Sequence, residues 1–219
     1  DAWVGEAVQS TSLAMPGMPG YNPNAPKYSY DPQKCADEFK ASTLTSADGK
    51  SLWDTGFRFQ LVYNTGNAPR LTVAQMLSSN IAKVNNKFVV EVLGTPWPTI
   101  LSAYQQGRLP AFIIGWLEDI HDPHNWYSPY GPTGTYGRNQ NFPADLAKQL
   151  TDLVNAGVAE SDPAKRAPIY EQYNQIVYDQ ATMLLLAIPT GRHYEQRWVK
   201  GWFYNPIYSG TYFYVLAKN

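Results

Sequence analysis

Between residues 57 and 116 the chain alternates short apolar runs with amphipathic stretches, and that succession restricts the fold more than any other feature of the sequence. "FRFQLVY" (57–63) alternates Phe57, Phe59, Leu61 and Tyr63 with more polar positions, as a half-buried strand does. After the turn "NTGNAP", residues 70–84 place Val73, Leu77, Ile81 and Val84 on one helical stripe. "KFVVEVL" (87–93) reads as a second strand, and "PWPTILSAYQQG" (96–107) as a short helix carrying Trp97, Ile100, Leu101 and Tyr104. "AFIIGW" (111–116) reads as a third strand, apolar on both faces as a central parallel strand should be. The pattern predicts an α/β fold: a mixed, mainly parallel sheet flanked by helices, with right-handed crossovers.

The flanks fit that frame. "YDPQKCADEFKAS" offers Asp31 as N-cap and Pro32 at the first helical position, so a helix is predicted over 32–41. Cys35, the only cysteine, excludes an internal disulfide and a CxxC motif, and it shares a helical face with Phe39 as a small core residue would. Downstream, 143–159 puts Leu146, Leu150 and Leu153 in register. The segment 161–180 has Asp162 as N-cap, Pro163 in the first turn, and a stripe of Ile169, Tyr173, Ile176 and Val177. "TMLLLAIP" (182–189) reads as a buried strand, and a last strand is expected at 211–217. The opening "DAWVGEAVQSTSLAMPGMPGYNPNAP" has loop composition and no periodic segment, as if the chain were entered midway. No basic segment followed by an apolar stretch marks a signal peptide, and no apolar run approaches a membrane span. With 16% charged residues and a net charge of -1, nothing supports a nucleic-acid partner, which needs a basic patch.

The chemistry concentrates in "GWLEDIHDPHNW" (115–126), directly after the third predicted strand. In open α/β sheets ligands bind outside the carboxyl ends of strands, so the position itself points to function. Four readings are open. A metal site would use His121 and His124 with Asp119 and Asp122, but histidines three apart share a face only on a helix. "HDPHNWYSPYGP" is too rich in Pro and Gly to be one. An acid/base pair would use Glu118 and Asp119, but neighbouring carboxylates on an extended segment point opposite ways. No nucleophile elbow, P-loop or GxGxxG appears elsewhere. A clamp for an ammonium group would use a carboxylate beside Trp116, combining charge-assisted hydrogen bonds with a ring face. The plain alternative is a solvated acidic loop.

These residues also carry a resemblance. "YSYDPQKCADEFKAS", "FRFQLVYNTGNAPRLTVAQMLSSNIAKV", "PWPTILSAYQQG", "GWLEDIHDPHNWYSPY" and "DPAKRAPIYEQYNQIVYDQATMLLLAIP", in this order, resemble the C-terminal part of a family 5 extracellular solute-binding protein. This is the oligopeptide-, dipeptide- and nickel-binding class that serves ABC importers. The likeness runs from about residue 16 to 219, and its most specific piece is Gly-Trp-x-x-Asp-x-x-(Asp/Glu)-Pro, met by Gly115, Trp116, Asp119, Asp122 and Pro123.

The resemblance implies a periplasmic-binding-protein-like lobe over 31–200, an opening loop or linker over 1–30, and a tail over 201–219 returning toward a first lobe of the same polypeptide. It implies ligand capture without turnover and without a cofactor, with ABC permease subunits as partners. The location would be periplasmic or anchored at the cell surface as a lipoprotein. In peptide-binding members the Asp of the pattern holds the ligand's α-ammonium, which is Asp119 here, with Trp116 lining the same pocket; Glu118 and Trp126 join them as candidate ligand contacts. The chain departs from the pattern in having Leu109-Pro110-Ala111 where an acidic residue often stands, and Glu118 where a small residue is common. Members that bind oligosaccharides or nickel complexes keep those ligands open, as does a stand-alone carbohydrate-binding module suggested by seven tryptophans. A hydrolase or metalloenzyme would instead depend on His121, His124 or Glu118.

Overall fold

A computed structural model describes residues 2–205 and 210–218. In chain order its elements are β1 (Ala7–Gln9), α1 (Pro32–Ala41), α2 (Leu52–Thr55), β2 (Phe57–Asn64), α3 (Ala68–Val84), β3 (Phe88–Thr95), α4 (Trp97–Gln105) and β4 (Ala111–Phe112). There follow α5 (His124–Tyr130), α6 (Ala144–Ala159), α7 (Pro163–Gln180), β5 (Ala187–Pro189), β6 (Val199–Lys200), a 3-10 turn (Phe213–Val215) and β7 (Ala217–Lys218). They group into two compact units. Unit 1 is Tyr28–Gly115 with the first residues up to Val4; unit 2 is Gly5–Lys27 with the chain from Trp116 onward.

Unit 1 is built on a parallel sheet in the order β3-β2-β4. β2 pairs with β3 from Phe57 opposite Phe88 to Asn64 opposite Thr95. Its other edge meets β4 only at Leu61 opposite Ala111 and Val62 opposite Phe112, extended by the Ile113 N–H donating to the Val62 carbonyl at 2.9 Å. The central strand is therefore β2. The 111–116 run, expected to be central, is a short edge strand: by Gly115 the Arg70 guanidinium lies 2.7 Å from where a Cβ would stand, and the backbone has left the ladder. Consistent with this, β2 buries two consecutive residues, Leu61 and Val62, where strands flank both its edges. In α3 Val73 and Ala74 are buried, but Leu77 of the expected stripe is on the surface, and Ser78 instead donates to the Val90 carbonyl at 2.6 Å. Phe39 of α1 meets Phe88 at 4.5 Å between ring centroids, and Phe57 stacks on Phe88 at the same distance. Cys35, on the same helix, is half-buried rather than part of the core, and that burial pushes its thiol up.

Unit 2 gathers Leu150 and Val154 of α6, Tyr170, Tyr173 and Val177 of α7, Tyr127 of α5, and Leu13, Ala14 and Met18. On α7 Tyr173 and Val177 of the expected stripe are buried, but Ile169 and Ile176 are only half-buried, and Tyr170 and Asn174 go inside as well. Tyr127 stacks on Tyr170 at 4.3 Å and meets Tyr173 edge-on at 5.0 Å. Gly157 lets α6 close on that ring, since a Cβ there would lie 2.5 Å from Tyr170 Cζ. Apart from β1 the opening stretch has the loop conformation that its composition implies, yet residues 10–14 are buried. Asn174 satisfies its backbone, accepting from the Leu13 N–H at 3.3 Å and donating to the Gly20 carbonyl at 3.2 Å. Of the run 182–189 only β5 is strand, antiparallel to β1. In place of the strand expected at 211–217 there is the 3-10 turn and then β7, paired with β6; the tail residues 206–209 lie outside the described residues. Among the described residues no helix is long and apolar enough to cross a membrane.

Candidate functional site

The segment 116–126 lies within unit 2, and its geometry starts from Asp122. This carboxylate accepts the N–H of His124 at 2.8 Å, and Pro123 precedes the first turn of α5 with helical dihedrals. The Pro- and Gly-rich stretch expected not to be helical thus contains one short helix. Pro123 stands at its N-cap, where no N–H bond is lost, while Pro129 falls in its last turn and Gly131 closes it, which keeps the helix short.

Arg166 of α7 grips Asp122 bidentately, Nη1 to Oδ2 at 2.6 Å and Nη2 to Oδ1 at 2.8 Å. Its Nε donates to the Gly157 carbonyl at 2.6 Å and its plane lies over Tyr170, 5.4 Å from the ring centroid. Burial alone would raise the Asp122 carboxyl, but the Arg166 hydrogen bonds and the His124 N–H outweigh it and hold the group below the usual carboxylate range. The Asp122 in the pattern is thus the post that fastens the segment to α6 and α7.

A depressed carboxyl contributes stability that is complete above the unfolded value near pH ~3.9 and lost as pH falls through the lower folded value. Asp122→Asn is expected to cost about 1–2 kcal/mol at pH 7, solvent weakening the pair because the Asp122 side chain is 36% exposed. Urea unfolding at pH 7 and pH 3 checks this: the gap between variant and wild type should narrow at the lower pH, and a gap that widens contradicts the pairing.

Glu118 and Trp126 meet directly. Trp126 Nε1 donates to Glu118 Oε2 at 2.9 Å, and His121 Nδ1 lies 2.8 Å from Glu118 Oε1. Both oxygens of Glu118 are engaged within the loop, and its side chain is only 13% exposed. Asp119, its neighbour, is on the surface. Asn125 Nδ2 lies 3.5 Å from its Oδ2. Asn125 also joins it to Trp116: Oδ1 accepts from the Trp116 indole N–H and from the Asp119 backbone N–H, both at 3.0 Å. The Trp116 ring meets Tyr136 edge-on at 6.0 Å, and Tyr136 lies 5.6 Å from Tyr130, so a wall of rings continues from the indole.

The four residues singled out from the sequence therefore form two pairs, Trp116 with Asp119 and Glu118 with Trp126. His121 and His124 do not converge, and among the described residues no group of three or more His, Cys, Asp or Glu could hold a metal ion. Sequence reasoning missed Asn125 and Arg166. For Arg166 no local signal exists, since its partner is 44 positions away. The arrangement can present one surface carboxylate beside an indole, on a loop whose other two carboxylates, Glu118 and Asp122, are already engaged.

Residues 1–138 match the family of bacterial extracellular solute-binding proteins, family 5 Middle. The dipeptide-binding protein of Escherichia coli (strain K12) is 28% identical over 205 residues, covering 94% of this chain and 37% of that protein. Heme-binding protein A of Haemophilus influenzae is 26% identical over 205 residues, covering 94% of this chain and 36% of that one. The crystal structure of a dipeptide-binding protein from Pseudoalteromonas sp. SM9913 in complex with Met-Leu matches with a TM-score of 0.73 and 17% identity, covering 99% of this chain and 41% of the other. At that identity the match establishes the fold alone, an α/β architecture with a parallel sheet flanked by helices. The chain spans less than half the length of each of these proteins, which are binding proteins rather than enzymes.

Proposed function

Because the chain belongs to family 5 of the bacterial extracellular solute-binding proteins, we propose that it is the part of a solute receptor that holds the charged end of a peptide or similar ligand for an ABC importer. The observation that carries this reading is the surface carboxylate of Asp119 beside the Trp116 indole, both tied to Asn125. A carboxylate and a ring face together suit an ammonium group, which gains a charge-assisted hydrogen bond from one and a cation–π contact from the other. Glu118 and Trp126, bonded to each other, shape the loop from behind. Relatives named for dipeptide binding support the peptide class, while the relative named for heme binding leaves the family's ligand range wide.

Residues 31–200 would form the second lobe, preceded by a linker over 1–30 and followed by the tail over 201–219. Part of that tail is apolar and open to solvent: Tyr204 is 74% exposed, Phe213 76% and Tyr214 87%. Exposed rings so close together favour a protein partner surface, which this reading assigns to a first lobe of the same polypeptide. The receptor would work outside the cytoplasm, in the periplasm or anchored at the cell surface, with the permease subunits as its docking partners. Ligand binding would shift an open–closed equilibrium through contacts made by both lobes.

The size and location of the native polypeptide test this. Immunoblots of fractionated source cells should show a species at least about twice the 24.6 kDa of this chain, in the envelope or secreted fraction, as the coverage of the relatives leads one to expect. A native species of 24.6 kDa in the cytoplasmic fraction would overturn the reading.

A further inference from the structure

Asn125 sits where the candidate site is assembled. It is the second residue of α5, whose first turn is fixed by Asp122: the Asn125 N–H donates to the Asp122 carbonyl at 3.0 Å, and Arg166 holds the Asp122 carboxylate. From that fixed turn the side chain reaches back across the loop. Its single oxygen takes both N–H groups, the Trp116 indole and the Asp119 backbone, each at 3.0 Å. With Oδ1 so occupied, the amide can face only one way, and Nδ2 is directed at Asp119 Oδ2, 3.5 Å away. The amide thus sets where the indole lies, fixes the backbone of the residue that bears the exposed carboxylate, and offers a neutral donor to one of its oxygens. One side chain thus bonds to both Trp116 and Asp119.

We infer that Asn125 is a positioning residue for ligand capture, coupling the orientation of the Trp116 ring to the placement of the Asp119 carboxylate through one amide. The inference rests on the ammonium-binding reading for its ligand consequence, but the coupling itself is a property of the unliganded protein. Leucine at 125 has the branching of asparagine, is bulkier, and has no acceptor. Aspartate keeps an acceptor oxygen in the same place. A role in packing alone would be served better by leucine; a role as shared acceptor only by aspartate.

The test uses the intact native polypeptide with Asn125→Leu and Asn125→Asp. Hydrogen exchange of the Trp116 indole and Asp119 amide protons is followed by NMR without ligand, and affinity is compared for a free-amine dipeptide and its N-acetylated form. Asn125→Leu should speed exchange at both protons by roughly five- to tenfold, the loss of about one hydrogen bond each, and reduce the preference for the free amine by about as much. Asn125→Asp, made together with Asp119→Asn so that no second carboxylate faces it, should restore slow exchange at both. Unchanged exchange in Asn125→Leu overturns the inference, as does slow exchange restored by leucine and not by aspartate. Should Asn125→Leu fail to fold, Asn125→Ser, whose hydroxyl is too short to reach both donors, replaces it with the same expectation. If wild type shows no preference for the free amine, the ammonium reading fails, and the exchange data alone still decide whether Asn125 couples the two residues.

Discussion

Asparagine in place of Asp119, in the intact native polypeptide, is expected to weaken binding of a free-amine dipeptide by about 2–5 kcal/mol, roughly thirtyfold to several thousandfold. The substitution keeps the shape and removes the charge. A ligand ammonium buried against the neutral amide would lose its counter-charge while still giving up its water, and most of the cost comes from that uncompensated desolvation. Asp119 is well placed to be the charge that matters, because the adjacent Glu118 already spends both oxygens on Trp126 and His121. The same substitution should change the affinity for an N-acetylated peptide by less than about threefold, since an amide nitrogen carries no charge to pair. Titration calorimetry with the two peptides separates the cases. Equal losses for both would mean that Asp119 supports the loop without recognising the amine. No loss for either would remove the proposed role. Asp122→Asn serves as the contrast: it should lower stability, which Asp119→Asn, at a surface residue, should leave near wild type.

The sequence made unit 1 legible because its signals are local. Asp31 caps α1 by accepting from the Lys34 N–H at 2.8 Å, with Pro32 beginning the helix where the pattern placed it. The runs at 57–63 and 87–93 are β2 and β3 to within a residue or two, since a period-two alternation bounded by turns has few other solutions. What failed was order and edge. An apolar run at 111–116 says that both faces are covered, but not which strand has neighbours on both sides, and β2 holds that place. On α7 the expected stripe holds at Tyr173 and Val177, but Tyr170 and Asn174, whose polar atoms have partners, are buried where Ile169 and Ile176 are only half-buried. The burial of residues 10–14 was invisible for the same reason: loop composition reports backbone conformation, whereas burial here depends on Asn174, 161 positions away from Leu13. At the candidate site the motif residues were legible and the residues that hold them were not. Asn125 reads from sequence as one more polar residue in a loop, and only the fold brings its oxygen onto two donors at once.

Tyr170→Ala is expected to destabilise unit 2 by about 3–5 kcal/mol, the upper range for removing a buried aromatic ring. The reason for the upper range lies in what surrounds the ring. Tyr170 is fully buried and stacks on Tyr127, 4.3 Å away. Two of its neighbours are glycines: a Cβ at Gly20 would stand 2.4 Å from Tyr170 Cβ, and one at Gly157 would stand 2.5 Å from its Cζ. Glycine has no side chain to move into a cavity, so the space left by the ring would close only by backbone movement. Tyr170→Phe should cost far less, about 0.5–1.5 kcal/mol, because it removes only the hydroxyl that accepts from Arg166 Nη2 at 3.3 Å and leaves the stack intact. Urea unfolding of the three proteins gives the ordering, and comparable losses for Ala and Phe would show that the hydroxyl, not the ring, organises this core. The consequence reaches the binding loop as well. Arg166 lies across the same ring while its N–H edge grips Asp122, so without the ring the guanidinium loses its support and the first turn of α5 its post. Hydrogen exchange at the Asp119 amide should therefore quicken in Tyr170→Ala even under conditions where unit 2 remains folded, and stay near wild type in Tyr170→Phe.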